Sequence, residues 1–549
     1  MKVPSRVDPS VMVPSRIAPE RSDQEEAEPR EDRSELPAVL IRDDEARVND
    51  EVSARLWTLA ELYQRGGELV RVLRPGRKDL SNAPRIQSLP RATLRESMTK
   101  VVRFLKETSS GLKPQHPPVW CVDAVAARGT WPEMPVLRSV VEWPVLCPDG
   151  SVLQDEGFDE QTGLLFLPQE EFEKVADQPS GDEVRQALDD LLDLVHDFPF
   201  AGPEHRSAWL AALLTPFARY AFDGPTPFFL VDKNVRGSGG SMLCDVISVL
   251  ATGRIAPKTT QVVDENEERK RITGIAKAGD PFVVIDNISR PFGNGVLDAA
   301  LTTTVWKERI LQESNTPEYP LLAIWMGSGN NVQIRAHADT FRRIQPMRLE
   351  SPLQNPETRT EFKYPELVQH CLEMRRHYVW AALTLLRAFC ASGAGPKMKI
   401  ESWGSYSGWS NLVRKCLVWL GLEDPYKAHK SLMERADRTA TGLELLVMGW
   451  KQMLEEQRVE SCTVREAWSW LSEDMELKQR KIIGELRFLQ LHEALQDLCK
   501  GKDKGGLPTA AGIGYVLRQY QQRPSNGYRL EAGKHTESGI QTWTVKEVQ

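Results

Sequence analysis

Residues 228–241 read Phe-Phe-Leu-Val-Asp-Lys-Asn-Val-Arg-Gly-Ser-Gly-Gly-Ser, and they carry the most informative local pattern of the chain. Four apolar residues followed by a polar, glycine-rich turn predict a buried strand that ends near Asp232. The apolar residues from Ser241 to Leu250 predict a helix directly after the turn. A strand, a glycine turn and a helix in this order can hold phosphate, because the N–H groups of the turn and of the helix N-terminus converge.

The P-loop consensus G-x-x-x-x-G-K-[ST] matches this turn only in part. Gly239 and Ser241 fit the consensus, whereas Asn234 stands at its first glycine and Gly240 stands at its lysine. By itself, the match favours an ordinary glycine turn between a strand and a helix over a phosphate site.

A second apolar strand, residues 282–285, leads into Asp286 and Asn287 about 45 residues after the glycine turn. Apolar strands separated by helical stretches predict a parallel α/β sheet. An acid at the end of such a strand has the Walker B arrangement, in which the carboxylate holds Mg²⁺ directly or through water. The plain alternative is a solvated acid at a strand end.

Further along the chain, Asn330 and Asn331 follow the apolar residues 321–326, where a polar side chain can contact a γ-phosphate. Arg342 and Arg343 precede another strand and suit an arginine finger that reaches the nucleotide of a neighbouring subunit. An asparagine turn and a charged surface are the plain alternatives. The order and spacing of all these features together favour a nucleotide site.

With these motifs in place, residues 198–367 resemble the AAA+ ATPase domain of phage and plasmid primase-helicases, the superfamily three helicase type. The matching segments are Asp-Phe-Pro-Phe (197–200), Phe-Leu-Val-Asp (229–232), Ala-Thr-Gly-Arg (251–254), Ile-Asp-Asn (285–287), Trp-Lys-Glu-Arg-Ile-Leu (306–311), Gly-Asn-Asn (329–331) and Arg-Arg (342–343). Similarity extends over residues 120–549. The first 180 residues show no primase catalytic motif.

The resemblance implies ATP and Mg²⁺ as cofactors and assigns roles to the residues that match. The phosphate loop would comprise Gly237, Ser238, Gly239, Gly240 and Ser241, and the metal would bind Ser241 and Asp286. Three further roles would be catalytic. Asn287 would follow the Walker B acid, Asn330 or Asn331 would be the first sensor, and Arg342 or Arg343 would be the arginine finger.

Two departures from the family pattern predict a weakened ATPase. Gly240 replaces the P-loop lysine, and Asn287 replaces the acid that follows Asp286. A charged hydrogen bond contributes roughly 1.5–3 kcal/mol, so the missing lysine should weaken nucleotide binding about tenfold to a hundredfold. Lys233 and Arg236 are candidate substitute cations; the alternative is that both are solvated loop charges.

The C-terminal region has the pattern of a winged helix. Thr463 and Glu466 form a capping box that opens a helix, and further helices are predicted at 481–499 and 509–522. Two strands then flank a loop that contains Lys534. Winged helices commonly bind duplex DNA, and the candidate DNA contacts are Arg518, Arg523 and Lys534. The alternative is a winged helix used only for protein contacts.

Charge and composition narrow the classes of function. The 549 residues have a net charge of −7, which excludes a chain that binds nucleic acid by bulk positive charge. Residues 1–50 carry 8 basic and 13 acidic residues, whereas residues 500–549 carry 8 basic and 4 acidic ones. Any nucleic acid would therefore meet the C-terminal end. The eight scattered cysteines, without a C-x-x-C pair, argue against a zinc site or a disulfide framework.

These observations predict an α/β chain with five regions. They are a disordered acidic leader (1–50), a mixed α/β N-terminal domain (51–180), an AAA+ P-loop core (181–355), a helical domain (356–475) and a winged helix (476–549). Without a signal peptide or a long apolar run, we expect a cytoplasmic protein that binds no membrane.

The predicted function is that of a helicase-like, DNA-binding AAA+ protein from a phage or another mobile element. It would act in DNA replication or unwinding as a ring-shaped homo-oligomer with a weakened ATPase. Two alternatives stay open: a catalytically inactive DNA-binding scaffold, and a regulatory or defence protein that has repurposed the module.

Overall fold

The computed structural model describes residues 36–74, 83–308, 317–334, 339–499 and 507–548. Within these residues the chain divides into two compact units. The first contains residues 36–60 and 90–128, and the second contains the described parts of 61–89 and 129–548. Most of the predicted acidic leader lies outside the described residues.

The first described part of the chain, up to residue 128, supplies elements to both units. Its strands are β1 (Ala38–Ile41), β2 (Leu62–Arg65), β3 (Glu68–Leu73), β4 (Arg85–Ser88), β5 (Arg103–Thr108) and β6 (Gly111–Gln115). Its helices are α1 (Glu45–Leu56), α2 (Arg91–Val101) and α3 (Val119–Ala126). The first unit combines the sheet β1-β5-β6 with the three helices, while β2, β3 and β4 form an antiparallel sheet of the second unit.

The start of the folded chain differs from the prediction. The expected boundary at residue 51 lies inside α1, which begins at Glu45 with the Asp44 side chain accepting a hydrogen bond from the Arg47 N–H group. The helix buries Val48, Val52 and Leu56 at a helical spacing, but the charged residues between them hide this pattern in the sequence.

The segment that precedes the central sheet contains short strands and two long helices. The strands are β7 (Ser139–Val141), β8 (Val145–Leu146), β9 (Val152–Leu153), β10 (Gly157–Asp159) and β11 (Leu164–Phe166). The helices are α4 (Gly181–Asp193), which begins with a capping box of Ser180 and Glu183, and α5 (Pro203–Ala218). The predicted boundary at 180 separates no compact units, because residues 129–548 form one.

The central region alternates strands and helices, as predicted. Its strands are β12 (Phe228–Lys233), β13 (Lys258–Thr259), β14 (Phe282–Ile288), β15 (Val305–Lys307), β16 (Glu318–Pro320), β17 (Ile324–Asn330) and β18 (Ile344–Leu349). Its helices are α6 (Gly240–Thr252), α7 (Glu265–Ala278) and α8 (Gly295–Ala300).

Five of these strands form a parallel sheet in the order β13-β14-β17-β12-β18. Both faces are buried, as expected for a parallel sheet. Phe229, Val231 and Val284 join the core that contains α5 and α6, whereas Phe228 and Leu230 join the core on the opposite face with α7 and α8. This arrangement is compatible with a P-loop-like core.

Helices dominate after the sheet, as predicted. They are α9 (Leu367–Glu373), α10 (Arg375–Ser392), the short α11 (Ser407–Trp409), α12 (Lys415–Trp419) and the 31-residue α13 (Tyr426–Glu456). Near its start, α13 is held to β18 by His429, whose Nδ1 lies 2.8 Å from the Ile344 carbonyl oxygen. Burial lowers the pKa of His429 to about 4, so the imidazole is neutral at physiological pH. None of the helices in the described residues has the length and apolar composition of a membrane span.

The C-terminal region consists of three helices and a four-stranded sheet. The elements are β19 (Cys462–Thr463), α14 (Val464–Gln479), α15 (Leu489–Leu498), α16 (Ala510–Tyr520), β20 (Pro524–Ser525), β21 (Tyr528–His535) and β22 (Gln541–Glu547). The sheet order is β19-β22-β21-β20. The predicted capping box is confirmed, with Thr463 and Glu466 exchanging hydrogen bonds. The predicted boundary at 475 falls within α14, whose N-terminal cap is Thr463.

We expect the crossing of α13 and α15 to tolerate only glycine at position 449. A Cβ atom there would lie 2.6 Å from the Leu491 backbone nitrogen and 2.8 Å from its Cα, and backbone atoms cannot rotate away. Gly449→Ala should therefore lower the free energy of unfolding by about 1–3 kcal/mol. Gly514→Ala on α16 is the matched control, because its nearest neighbour, Arg518 Nη1, is 3.5 Å away. Equal denaturation midpoints for the two variants would contradict this account.

Candidate functional site

The candidate site lies at the carboxyl edge of the central sheet, at the point where the order of the parallel strands reverses. The connection from β12 runs towards β13, whereas the connection from β17 runs past β12 to β18 on the other side. Since crossovers between parallel strands are right-handed, these two connections leave on opposite faces of the sheet. A crevice forms at such a switch point, and ligands of open α/β sheets bind there.

The loop after β12 depends on two glycines with left-handed backbones. Gly237 has φ 79° and Gly239 has φ 81°. A Cβ on Gly237 would collide with the Glu357 carboxylate, and one on Gly239 would lie 2.6 Å from Phe198 Cε1. The glycines thus allow the loop to turn sharply between two neighbouring side chains. The Ser238 hydroxyl fixes the turn by donating to the Val235 carbonyl at 2.9 Å.

Asn234, which stands at the first consensus glycine, has a structural role. Its side-chain oxygen accepts from the Ser351 N–H group at 3.0 Å, and its amide nitrogen donates to the Ser351 carbonyl at 2.9 Å. The amide therefore imitates a strand partner and ties the loop to the segment after β18.

Ser241 and Asp286 meet directly, as the resemblance implies. Ser241 is the second residue of α6, and its hydroxyl donates to Asp286 Oδ1 at 2.7 Å. Ser328 on β17 donates to the same oxygen at 2.6 Å, and its hydroxyl lies 3.2 Å from that of Ser241. Ser328 was not among the predicted site residues, although the period-two alternation of β17 places it on the same face as Asn330.

Two hydroxyl donors keep Asp286 ionised. Burial raises the pKa of this carboxyl group, but hydrogen bonds from Ser328, Ser241 and the Asn287 backbone outweigh burial, so the pKa is below its usual value. Asn287 is exposed and has a left-handed backbone with φ 54°. Asparagine accepts that conformation more readily than most residues, which gives a backbone reason for its presence beside the acid.

Lys233 lies over the glycine that replaces the P-loop lysine. A Cβ on Gly240 would be 2.7 Å from Lys233 Cδ and 3.1 Å from Lys233 Cε. Within the described part of the chain, the Lys233 ammonium has no hydrogen-bond or ion-pair partner. Burial lowers the pKa of Lys233, while the negative charge of Asp286 opposes that shift. The second candidate cation, Arg236, is an exposed residue of the loop.

The two consecutive asparagines at the end of β17 have different environments. Asn330 pairs in register with Lys233, and its buried side-chain oxygen has no partner among the described residues. Asn331 supports the loop instead, since its N–H group donates to the Lys233 carbonyl at 2.9 Å and its side-chain oxygen accepts from Arg348 at 3.0 Å. Of the two, Asn330 is the one with an unused polar atom at the site.

An apolar cavity of about 390 Å³ adjoins the glycine loop. Besides the loop glycines and Met242, it is lined by aromatic and proline residues that include Phe198, Pro199, Phe362, Tyr364 and Pro365. At its rim, Asp197 accepts from Arg359 at 2.6 Å. The cavity combines aromatic rings with direct access to the loop, as expected of a site for a flat heterocycle.

The predicted pair of exposed arginines proved to be unequal. Arg343 is only 17% exposed and donates to the Asp339 carbonyl at 2.6 Å, with the Asp298 carboxylate 3.8 Å away. The buried Asp298 draws the Arg343 guanidinium inward, and its assignment as an arginine finger stays a prediction. Arg342 is exposed. It precedes β18, whose six residues span about 20 Å, so it lies at the edge of the sheet opposite to the loop.

The candidate DNA contacts are all solvent-accessible. Arg518 on α16 and Lys534 on β21 are exposed, and Arg523 is half-buried with its guanidinium 4.9 Å from the Tyr520 ring. Lys534 lies within β21 rather than in the loop where the sequence placed it, because the hairpin pairing continues past a bulge to His535. Tyr515 on α16, which the sequence analysis did not single out, is 65% exposed.

The residues of the site fit a nucleotide phosphate and one magnesium ion. No side chain caps α6, and its first turn contains no acid, so its N–H groups are available to an anion. Mg²⁺ usually takes one or two carboxylates and completes its shell with water and phosphate. A hydroxyl next to one ionised carboxylate matches that donor set. In the described residues, no cluster of three or more His, Cys, Asp or Glu side chains provides a separate metal site.

Neither a protein-family model nor a curated protein matches the chain. Among solved structures, it is similar to the apo C-terminal region of NrS-1, at 11% identity over 87% of this chain and 97% of that one (TM-score 0.35). It is also similar to an SCCmec type IV Cch helicase (11% identity, 72% and 82% of the chains, TM-score 0.26) and to a ligand-bound JCV helicase (14%, 44% and 73%, TM-score 0.19). Similarity at this level carries no argument about function, which must come from the site.

The hydrogen bonds to Asp286 predict a pH-dependent contribution to stability. Because the folded-state pKa is lowered, this contribution is complete above the unfolded pKa of about 4 and is lost as the pH falls through the folded pKa. Asp286→Asn should unfold earlier than the natural chain at pH 7 in denaturant titrations, and the difference should shrink below about pH 4. Asp177→Asn, at a side chain that is 96% exposed, should leave the unfolding free energy unchanged. A difference for Asp286→Asn that persists in acid would contradict this role.

Proposed function

We propose that the central region binds ATP with Mg²⁺ and that the chain is a helicase-type, DNA-binding protein. The observation that carries this proposal is the convergence of Lys233, Ser241, Asp286, Ser328 and Asn330 on one face at the carboxyl edge of the sheet. Each of these residues lies below or within the uncapped first turn of α6. A cation, unpaired N–H groups and a metal-binding oxygen pair are what a polyphosphate requires.

The apolar cavity supports a nucleotide rather than phosphate alone. It is lined by Gly237 and Gly239 of the loop and by Met242 of α6, so a molecule with its phosphates on α6 would have its base beside Phe198 and Phe362. Magnesium would be held by Ser241 and Asp286. When bound, it would neutralise charge on the phosphates.

Slow hydrolysis is part of the proposal. Asn287 carries no charge, and its left-handed backbone disfavours a glutamate at that position. The residue after the Walker B acid therefore supplies no carboxylate to polarise an attacking water. This observation favours a second candidate function, a DNA-bound scaffold whose conformation depends on whether nucleotide is bound.

Assembly of several copies is also part of the proposal, with DNA held by the C-terminal region. Arg342 lies at the opposite sheet edge from the nucleotide site of its own chain, so any contact it makes with nucleotide would be in a neighbouring copy. The exposed Arg518 and Lys534 support duplex contact by α16 and by the β21–β22 hairpin. Action in replication of a phage or other mobile element is the biological setting proposed for such a protein.

Binding of ATP should depend on Mg²⁺ through the Ser241 hydroxyl. We expect Ser241→Ala to remove the effect of Mg²⁺ on ATP affinity in calorimetric titrations, because the metal loses one protein oxygen. Ser241→Thr is the matched control, since it keeps the hydroxyl and the P-loop consensus accepts either residue. A natural chain that binds no ATP at millimolar concentration, with Mg²⁺ present, would refute the nucleotide function.

Binding of duplex DNA should depend on unpaired charges of the C-terminal region. Replacing Arg518, Arg523 and Lys534 together by alanine should weaken binding and make its salt dependence shallower, by about 0.9 in log–log slope for each phosphate that the protein no longer neutralises. Two single variants on β21, Lys534→Ala and Arg529→Ala, provide the comparison. Arg529→Ala is the control, because the Arg529 guanidinium already forms an ion pair with Glu531 at 2.5 Å. Only Lys534→Ala should reduce the slope. An unchanged slope in the triple variant would put the DNA site elsewhere.

A further inference from the structure

The carbon chain of Lys233 occupies the space in which a side chain at position 240 would begin. A Cβ on Gly240 would lie 2.7 Å from Lys233 Cδ, 3.1 Å from Lys233 Cε and 3.1 Å from Val231 Cγ1. Real Cβ atoms do not approach other carbons as closely as the first of these distances. Any side chain at position 240 would therefore displace the lysine. Lys233 can occupy this position because residue 240 is glycine.

Strand geometry directs Lys233 towards the first turn of α6. Side chains two residues apart on a strand share a face, and Val231 packs on that face in the core that contains α6. Lys233 is the last residue of β12 and pairs in register with Asn330, whose side-chain oxygen is buried and unpartnered among the described residues. Asp232, which points to the opposite face, is already paired with Arg348 at 2.5 Å.

The charges around Lys233 leave its ammonium available. Among the charged groups around Lys233, Asp286 raises the pKa of the lysine most. Its Oδ1 oxygen, however, already accepts hydrogen bonds from two hydroxyl groups. The lysine is half-buried, and burial disfavours its charged form. A polyphosphate on the first turn of α6 would supply negative charge next to this cation, which is the interaction that the described residues do not provide.

We propose that Lys233 is a relocated phosphate-binding lysine: it reaches the phosphates from the end of β12, across Gly240, in place of a lysine at position 240. This inference rests on the proposed nucleotide function and adds to it the reason why Lys233, and not a side chain at position 240, supplies the cation. It also separates the two departures of the loop from consensus. Gly240 is accommodated by Lys233, whereas Asn287 remains without a substitute, so nucleotide affinity should be retained while hydrolysis is slow.

Exchanging the two positions tests the inference. The probes are Mg·ATP, tripolyphosphate and adenosine, titrated against each folded variant. Lys233→Met keeps the carbon chain over Gly240 and removes the charge, so it should weaken ATP and tripolyphosphate binding about tenfold to a hundredfold and leave adenosine binding unchanged. Arg236→Met, which removes the exposed loop cation, is the matched control and should change affinity less than about twofold.

Gly240→Lys alone should also weaken binding, because the new side chain collides with Lys233. The double variant Lys233→Ala with Gly240→Lys should recover affinity to within about threefold of the natural chain, since the cation returns from the other position. If Lys233→Met binds ATP as tightly as the natural chain, the inference is overturned while the nucleotide function stands. If the natural chain binds neither ATP nor tripolyphosphate, both are overturned. The near-isosteric methionine variant keeps the test decisive even where the double variant fails to fold.

Discussion

Parallel pairing of β12 on both of its edges is the constraint on which the site depends. The strand is hydrogen-bonded to β17 on one side and to β18 on the other, and apolar residues bury both of its faces. This double pairing fixes the point at which the loop leaves the sheet. It also fixes which side chains of the neighbouring strands lie beside the loop, because the register between two strands determines which of their residues share a face of the sheet.

Because of this register, the two faces of the sheet edge have different roles. On the α6 face, Ser328 and Asp286 are hydrogen-bonded to each other, while the Lys233 ammonium and the Asn330 side-chain oxygen have no partner among the described residues. On the other face, Asp232 is saturated by Arg348 and by the Val332 N–H group, so it holds the loops of β12 and β17 together. One face is thus available for a ligand, and the other is structural.

At three positions the site carries a residue other than the one in the family pattern: Asn234, Gly240 and Asn287. Asn234 uses both ends of its amide to tie the loop to Ser351, a bond that the consensus glycine could not make. Gly240 leaves room for the chain of Lys233. Asn287 adopts a left-handed backbone that suits asparagine. The first two substitutions hold the loop and Lys233 in place, and the third leaves no carboxylate directly after Asp286.

The alternation of strands and helices in the central region and the helix cap at Thr463 could be predicted from the sequence alone, whereas Ser241 and Asp286 were brought together only by the family resemblance. The first two follow from local patterns: apolar runs, a glycine turn and short-range hydrogen bonds. The tertiary structure decided that Lys233 rather than Arg236 faces the helix, that Ser328 joins Asp286, and that Arg343 is drawn to Asp298 while Arg342 stays exposed. It also showed that α1 begins before residue 51 and that α14 crosses the predicted boundary at 475. Strand register sets the faces of Lys233 and Ser328, and a distant buried acid draws Arg343 inward; neither is encoded within a short stretch of sequence.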